Sequence, residues 1–429
     1  MKVLFVDSMA VGDEDATGRT LDHILNNIPN VEILEYCLDY DPSYHTPTVD
    51  IIYENKKKNI CFFIFKSLYR IIFKTKDNPN NLKKNISSAQ ISSKNDTIKK
   101  RILVALISYL DSIQHRISVT DLNKISNFNP EILYLNGGTI TTMSIALELS
   151  TYFKIPIIFH MMDNWYDSKY DNCFLTYFQR KKIIRLTQDL HKRSIINLAI
   201  GEKMANYYTA KFNKEYRYAM NCVDTIHYSK LPNNKPLKLL FSGGLHGGRA
   251  ESLKLFDSVL EKINKDGILA ILEIYTSSVE VKRYGKIYSK YTHFYSYVPT
   301  KQIFDNLSKA DILVHVESFE KSNIDFFEYS MSTKIPEYLS IGRPIICFGP
   351  MEIATVEYIY ENNAGLVCKN KIELEEKLTL MINDNLLREK MALNNIKLTT
   401  KNHLTSNVCA NLQVTLEDTI RQWKELERG

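Results

Sequence analysis

The stretch Ser332-Thr333-Lys334-Ile335-Pro336-Glu337-Tyr338-Leu339-Ser340-Ile341-Gly342-Arg343-Pro344-Ile345-Ile346 reads as a polar loop, a short helix, a glycine stop and a buried strand. Pro336 is tolerated in a first helical turn, where its missing N–H would be unpaired anyway. Gly342 can close the helix in a left-handed conformation, and Pro344 blocks its continuation. Backbone N–H groups and Lys334 at a helix N-terminus make a ready anion site. Glu337, in or near the first turn, could accept two hydroxyl hydrogen bonds from a ribose. A diphosphate beside a ribose diol is a nucleotide. The plain alternative is an ordinary helix–turn–strand with one exposed Glu and one exposed Lys, so the neighbouring sequence has to decide.

Upstream and downstream, short apolar runs alternate with helical patterns. Strands are expected at residues 2–6, 31–38, 131–135, 156–159, 197–200 and 217–220, and helices at 140–152 and 202–211. A hydrophilic stretch, Leu231-Pro232-Asn233-Asn234-Lys235-Pro236, reads as an interdomain linker. A second series then places strands at 237–241, 268–275, 293–297, 311–316, 344–348 and 365–368. Helices are expected between them at 250–265, 301–309, 351–362 and 371–383. Apolar runs of this length alternating with helices argue parallel sheets covered on both faces. The expected domains are 1–230, 231–403, and a helical tail at 404–429 that crosses back to the first domain. There is no internal repeat.

The length of 429 residues suits two or three domains, and 44% hydrophobic with 24% charged residues is ordinary for a soluble globular chain. The seven cysteines, Cys37, Cys61, Cys173, Cys222, Cys347, Cys368 and Cys409, show no CxxC spacing. That spacing argues against a zinc site or redox pair and for reduced core thiols. The opening Met1-Lys2-Val3-Leu4-Phe5-Val6-Asp7 fits a first buried strand better than a secretory segment. No apolar run approaches the ~18 residues that span a bilayer.

The net charge of +6 is uneven: residues 54–101 hold 13 Lys and Arg against 3 Asp and Glu. Residues 54–130 form an insert without clean strand–helix alternation. Within it, residues 60–74 are very apolar, with Lys66, Arg70 and Lys74 on one side of a helix opposite the aromatics. A cationic amphipathic helix of this kind can lie in an anionic membrane interface; the alternative is a helix packed on the sheet with a basic solvent face. Residues 76–100 read as a polar loop. No nucleic-acid motif accompanies the charge.

Phe241-Ser242-Gly243-Gly244-Leu245-His246-Gly247-Gly248-Arg249 follows a strand and precedes a helix. Glycines let backbone N–H groups approach phosphate oxygens, and Arg249 could neutralise their charge. His246 reads as a bystander. In the first half, Pro156-Ile157-Ile158-Phe159-His160-Met161-Met162-Asp163-Asn164-Trp165 puts a polar cluster at a strand's carboxyl end, where substrates of such sheets sit. A His and an Asp that merely cap a helix are the alternative. Asn136-Gly137-Gly138-Thr139 and the first loop, with Gly12 and Gly18, occupy comparable positions. Asp13-Glu14-Asp15 reads as solvated rather than as a DxD metal motif.

The segment 311–368, with Phe348-Gly349-Pro350 and Asn362-Asn363-Ala364-Gly365-Leu366, resembles the nucleotide-binding region of bacterial retaining glycosyltransferases of family 4. Met220-Asn221-Cys222-Val223-Asp224 is similar to that family's hinge, with Cys222 in place of Gly. The resemblance implies a GT-B fold: two doubly wound Rossmann-like domains facing across a cleft. It implies retaining transfer of a sugar from a nucleotide-diphosphate donor to a lipid-linked or polysaccharide acceptor, in cell-surface glycan synthesis. No metal or organic cofactor is implied, the nucleotide sugar being a substrate. The implied catalytic residues are His160, Asp163, Lys334 and Arg249, with either His160 or Asp163 facing the donor sugar. Donor binding falls to Gly243, Gly244, Arg249, Ser332, Thr333, Lys334, Glu337, Gly12 and Gly18. The family's paired glutamates match here only at Glu337, because Tyr329 stands where the first would fall; the roles of Glu317 and Glu328 stay open. The expected location is the cytoplasm, with peripheral contact to the inner membrane face through residues 54–130. A nucleotide-sugar epimerase of the same fold and a non-catalytic, membrane-associated scaffold are the rival readings.

Overall fold

The computed structural model describes residues 1–12, 16–39, 50–53, 98–112, 117–171, 174–298 and 300–428. The chain divides into two compact units, Met1–Ala219 with Cys409–Gly429, and Met220–Val408.

The first unit is built on a seven-stranded sheet of order β3-β2-β1-β4-β5-β6-β7. Its strands are β1 (Lys2–Met9), β2 (Glu32–Asp39), β3 (Asp50–Tyr53), β4 (Ile132–Asn136), β5 (Ile157–Met161), β6 (Ile196–Ala199) and β7 (Glu215–Tyr218). Every pairing is parallel. β4 and β5 are buried at every position, as a sheet covered on both faces requires. The sequence pattern misses β3, an edge strand of only four residues. The expected amphipathic helix at 60–74 and most of the polar loop at 76–100 lie outside the described residues. Two helices close the insert, Ile98–Asp111 and Val119–Phe128. The second is capped by Ser118, whose Oγ accepts the Asp121 N–H.

The second unit carries a six-stranded parallel sheet of order β10-β9-β8-β11-β12-β13. The strands are β8 (Leu237–Ser242), β9 (Ala270–Thr276), β10 (Thr292–Ser296), β11 (Ile312–Val316), β12 (Ile345–Phe348) and β13 (Gly365–Cys368). Successive strand residues alternate between two cores. Leu239, Phe241, Val314, Val316, Ile346 and Phe348 pack toward helices Arg249–Ile263 and Lys371–Asn383. Leu240, Leu313, Ile345 and Cys347 pack on the other face with residues of helices Ile335–Ser340 and Ala354–Glu361. This period of two across a buried sheet is the doubly wound pattern.

The units divide at Ala219/Met220 rather than at residues 230/231. Residues 220–230 are tied into the second unit: Asn221 Nδ2 donates to Thr333 O at 2.6 Å, and Arg343 Nη1 donates to Ser229 O at 2.8 Å. The stretch read as a linker is likewise bound, with Asn234 N–H and Nδ2 donating to the Asp311 carboxylate at 3.1 and 2.8 Å. The last helix, Thr405–Arg428, contributes its residues from Cys409 onward to the first unit, where Arg217 Nη1 meets Asp418 Oδ2 at 2.9 Å. Among the described residues Cys37, Cys222, Cys347, Cys368 and Cys409 are free and buried, and no helix is long and apolar enough to cross a membrane.

Candidate functional site

In the second unit, β8 runs straight into the glycine loop, and Gly243 N–H still donates to Tyr275 O of β9 at 2.9 Å. Gly243 has φ +147°, and a Cβ there would overlap Lys334 Nζ. Glycine is therefore required at 243 both for its backbone conformation and for the room it gives the ammonium group. Lys334 Nζ also lies 5.1 Å from the centroid of the Phe241 ring. Lys334 immediately precedes helix Ile335–Ser340, which has Pro336 in its first turn and Gly342 at φ +64° behind its end. The adjacent Arg343 is wholly buried by carbonyls of Ser229, Ile341 and Gly342, so its role is structural.

The loop is held in shape from three sides. Glu280 Oε1 accepts the Leu245 N–H at 2.9 Å, while its other oxygen accepts from Thr276 and Ser277. Burial pushes this carboxyl up, but those hydrogen bonds more than offset it and leave it below the ordinary range. Ser242 N–H donates to the buried Tyr338 hydroxyl at 3.1 Å, joining the loop to the helix that follows Lys334. Gly248, at φ +78°, opens helix Arg249–Ile263, and a Cβ on it would overlap Ser318 Oγ. Among the described residues the amides of Gly244, His246, Gly247 and Gly248 donate to no acceptor.

Arg249 does not stand open as the sequence suggests. Its Nε and Nη2 donate to the Glu317 carboxylate at 3.1 and 3.0 Å, and its guanidinium lies 5.2 Å from the Phe327 ring centroid. Glu317 ends β11 and is 2% exposed. His315 Nε2 sits 3.0 Å from Glu317 Oε1 without the alignment of a hydrogen bond. Burial alone would raise the Glu317 carboxyl; the Arg249 guanidinium and the neighbouring His315 hold it at about 2. Burial, with the charge of Arg249, keeps the His246 ring below its ordinary range, so it is neutral near pH 7. The Nε–Nη2 edge of Arg249 is thus occupied by Glu317.

The structure thus brings Gly243, Gly244, Arg249 and Lys334 into one cluster, with Ser332, Thr333 and Glu337 on the segment that carries Lys334. Ser332 N–H donates to Thr355 Oγ1 at 2.9 Å, and the Thr333 carbonyl is taken by Asn221. Glu337 lies half-buried in the first turn of its helix. Sequence reasoning missed Glu280 and left Glu317 open. Ser277-Ser278-Val279-Glu280 has capping-box spacing, a signal that could have found the former. Nothing local marks the Arg249–Glu317 pair, because 68 residues separate them.

The first unit gathers its expected residues differently. β5 extends through Met161, so His160 falls inside the strand and is 0% exposed. Its Nδ1 lies 2.6 Å from the Tyr134 hydroxyl, its Nε2 has no hydrogen-bond partner, and burial lowers it to about 3. His160 is thus an uncharged imidazole sealed inside the strand. Asp163 is exposed beyond the strand end, and its carbonyl accepts the Trp165 N–H. Gly12 is buried after β1, and Gly18 lies in helix Ala16–Leu25.

The loop Asn136–Thr139 leads into helix Ile140–Phe153, whose first amides are already claimed. Asp111 accepts from Ile140 N–H at 2.9 Å, Thr141 N–H at 3.3 Å and the Tyr170 hydroxyl at 3.0 Å, and Lys169 Nζ donates to Gly138 O. Nearby, Glu35 Oε1 accepts the Val11 N–H at 2.8 Å while Oε2 has no partner. Burial raises this carboxyl to about 8. Among the described residues no cluster of His, Cys, Asp or Glu is placed to hold a metal ion.

No family profile and no curated protein sequence matches the chain. Solved structures do match. HepE of Anabaena, in complex with UDP, aligns over 97% of this chain and 100% of its own, at 11% identity and a TM-score of 0.61. Sucrose-phosphate synthase from Thermosynechococcus elongatus aligns over 97% and 98%, at 9% identity and a TM-score of 0.58. WaaG, a glycosyltransferase involved in lipopolysaccharide biosynthesis, aligns over 96% and 98%, at 12% identity and a TM-score of 0.54. The fold shared with these structures is GT-B, with two Rossmann-like domains.

Proposed function

We propose that this chain is a glycosyltransferase that moves a sugar from a nucleotide-diphosphate donor to a lipid-linked or polysaccharide acceptor, with retention of configuration and without a metal ion, in cell-surface glycan synthesis. The observation that carries the reading is the Lys334 ammonium seated against Gly243, beside loop amides that donate to no acceptor among the described residues. That is the chemistry a diphosphate needs: a fixed cation, and N–H groups already oriented. The neighbours support the donor class, since HepE was also solved with UDP-glucose.

In this reading the bond between the anomeric carbon and the diphosphate oxygen breaks while the acceptor hydroxyl attacks from the same face. The hydroxyl proton passes to the departing phosphate oxygen, so no separate base is required. Charge growing on the diphosphate meets Lys334, Arg249 and the loop amides, none of which has to reorganise. Glu337 takes the ribose hydroxyls. Asp163 is the better of the two first-unit candidates for contact with the sugar, being exposed where His160 is sealed.

The test is thermal stabilisation of the purified protein by a panel of UDP, GDP, ADP and dTDP sugars, in wild type and in Lys334→Ala/Glu337→Ala. One nucleotide class should stabilise the wild type alone. A folded protein that responds to none of them contradicts the reading. A second reading, a nucleotide-binding member without turnover, is favoured by the neutralisation of Arg249 by Glu317. Stabilisation without sugar transfer would select it. A new nucleotide sugar formed without acceptor would instead select an epimerase.

A further inference from the structure

Among the described residues one apolar surface of the first unit stands exposed. The single helical turn Phe174–Thr176 and the start of helix Tyr177–Arg193 expose Phe174 at 93%, Phe178 at 72%, Tyr177 at 48% and Leu175 at 46%. Scattered exposed hydrophobes are normal, but four within five residues, three of them aromatic, mark a contact surface. The turn is anchored from beneath: Thr176 is buried, with its Oγ1 donating to Tyr170 O at 3.0 Å, and Gln179 and Ile183 are buried behind it. The aromatic tip is therefore presented by a fixed base.

Acids adjoin the tip at Asp171 and Asp111, but the helix that leads away from it is basic. The helix runs Arg180-Lys181-Lys182-Ile183-Ile184-Arg185 before its first acid, Asp189. Arg180 is occupied by the Tyr166 carbonyl, and Lys182 reaches Ser112 O at 3.3 Å. Lys181 is exposed, with Nζ 4.6 Å from the Tyr177 ring centroid, and Arg185 keeps 85% of its side chain exposed despite a 3.9 Å approach to Asp189. Against the turn packs helix Ile98–Asp111, which opens Ile98-Lys99-Lys100-Arg101 and closes the most basic stretch of the chain.

From this combination we infer that Phe174, Leu175, Tyr177 and Phe178, with Lys181 and Arg185 beside them, dock on a bilayer surface rich in anionic lipid. Aromatic side chains favour the headgroup level, and cations beside them meet the negative surface potential. A protein partner would have to bring an acidic apolar groove to a protruding tip, whereas a bilayer accepts such a tip without a matching shape. The inference goes beyond the catalytic reading, and its test needs no turnover.

The experiment is co-sedimentation of the full chain with vesicles of phosphatidylcholine alone and of phosphatidylcholine with phosphatidylglycerol. Wild type, Phe174→Ser/Phe178→Ser and Lys181→Glu/Arg185→Glu are compared, with thermal melts to confirm folding. The wild type should bind the anionic vesicles and not the neutral ones. Both double variants should lose about tenfold or more in binding while melting like the wild type, and salt should weaken the wild type. Failure of the wild type to bind anionic vesicles overturns the proposal. So does binding that both variants retain, which would place the contact elsewhere in the basic stretch. Concentration-dependent self-association lost in Phe174→Ser/Phe178→Ser, with vesicles ignored, also overturns it and assigns the patch to a second copy of the chain.

Discussion

The two sheets end in glycine-containing loops that look alike in sequence and differ in what meets them. In the second unit, Gly243 yields its space to Lys334, and four amides of the loop donate to no acceptor among the described residues. In the first, the helix after Gly137 and Gly138 is capped by Asp111, and His160 is sealed against Tyr134. In the proposed reading one loop end receives an anion, whereas the other already holds a carboxylate. A glycine-rich turn is thus no evidence for a phosphate site until its counter-charge is known.

The largest effect should come from Lys334→Ala, which we expect to lower donor turnover by about 100- to 1,000-fold, the cost of losing one fixed donor at a developing charge. Gly243→Ala should approach the same loss, since its Cβ would overlap the Lys334 ammonium. Steady-state kinetics on the donor would check both, and near-wild-type rates in either would break the contrast. Next, Glu317→Ala should cost about ten- to a hundredfold by leaving Arg249 half-buried and unheld, with Glu317→Gln recovering part of it. An equal loss in both variants would point to the charge rather than to the positioning of Arg249.

The comparison also shows what the sequence could tell. All six strands of the second sheet are legible, most of them as short apolar runs bounded by Gly, Pro or Asn. The need for glycine at 243 is legible as well, because it sits in the residue itself. Glu317 and Asp111 are not, because their roles lie in partners 68 and 29 residues away. The end of β5 was less legible: it runs to Met161 rather than stopping at Phe159, so His160 lies inside the strand.

Two smaller predictions concern the first unit's carboxylates. Glu35 keeps its proton up to about 8 when folded but would lose it near 4.5 when unfolded. The stability it contributes is full below pH 4.5 and is lost as pH rises through 8. Glu35→Gln should therefore be neutral near pH 4.5 and stabilising by about 2 kcal/mol above pH 8, by urea unfolding at each pH. A difference that does not grow with pH would contradict the buried, protonated state. Asp111→Ala should destabilise by about 1 kcal/mol through loss of a helix cap, leaving nucleotide affinity unchanged. A change in nucleotide affinity would mean that the first unit's loop is not closed to anions after all. The smallest effect, under about threefold in turnover, is expected for His246→Ala, a neutral bystander beside Gly244.

The most direct measurement is calorimetric binding of nucleoside diphosphate and nucleoside monophosphate to wild type and Lys334→Ala, using the base that stabilises the wild type. If Lys334 and the Gly243 loop hold the second phosphate, the wild type should prefer the diphosphate by about tenfold or more, and Lys334→Ala should erase that preference while keeping monophosphate affinity. An unchanged preference in Lys334→Ala, or none in the wild type, would contradict the assignment of this loop as the diphosphate site.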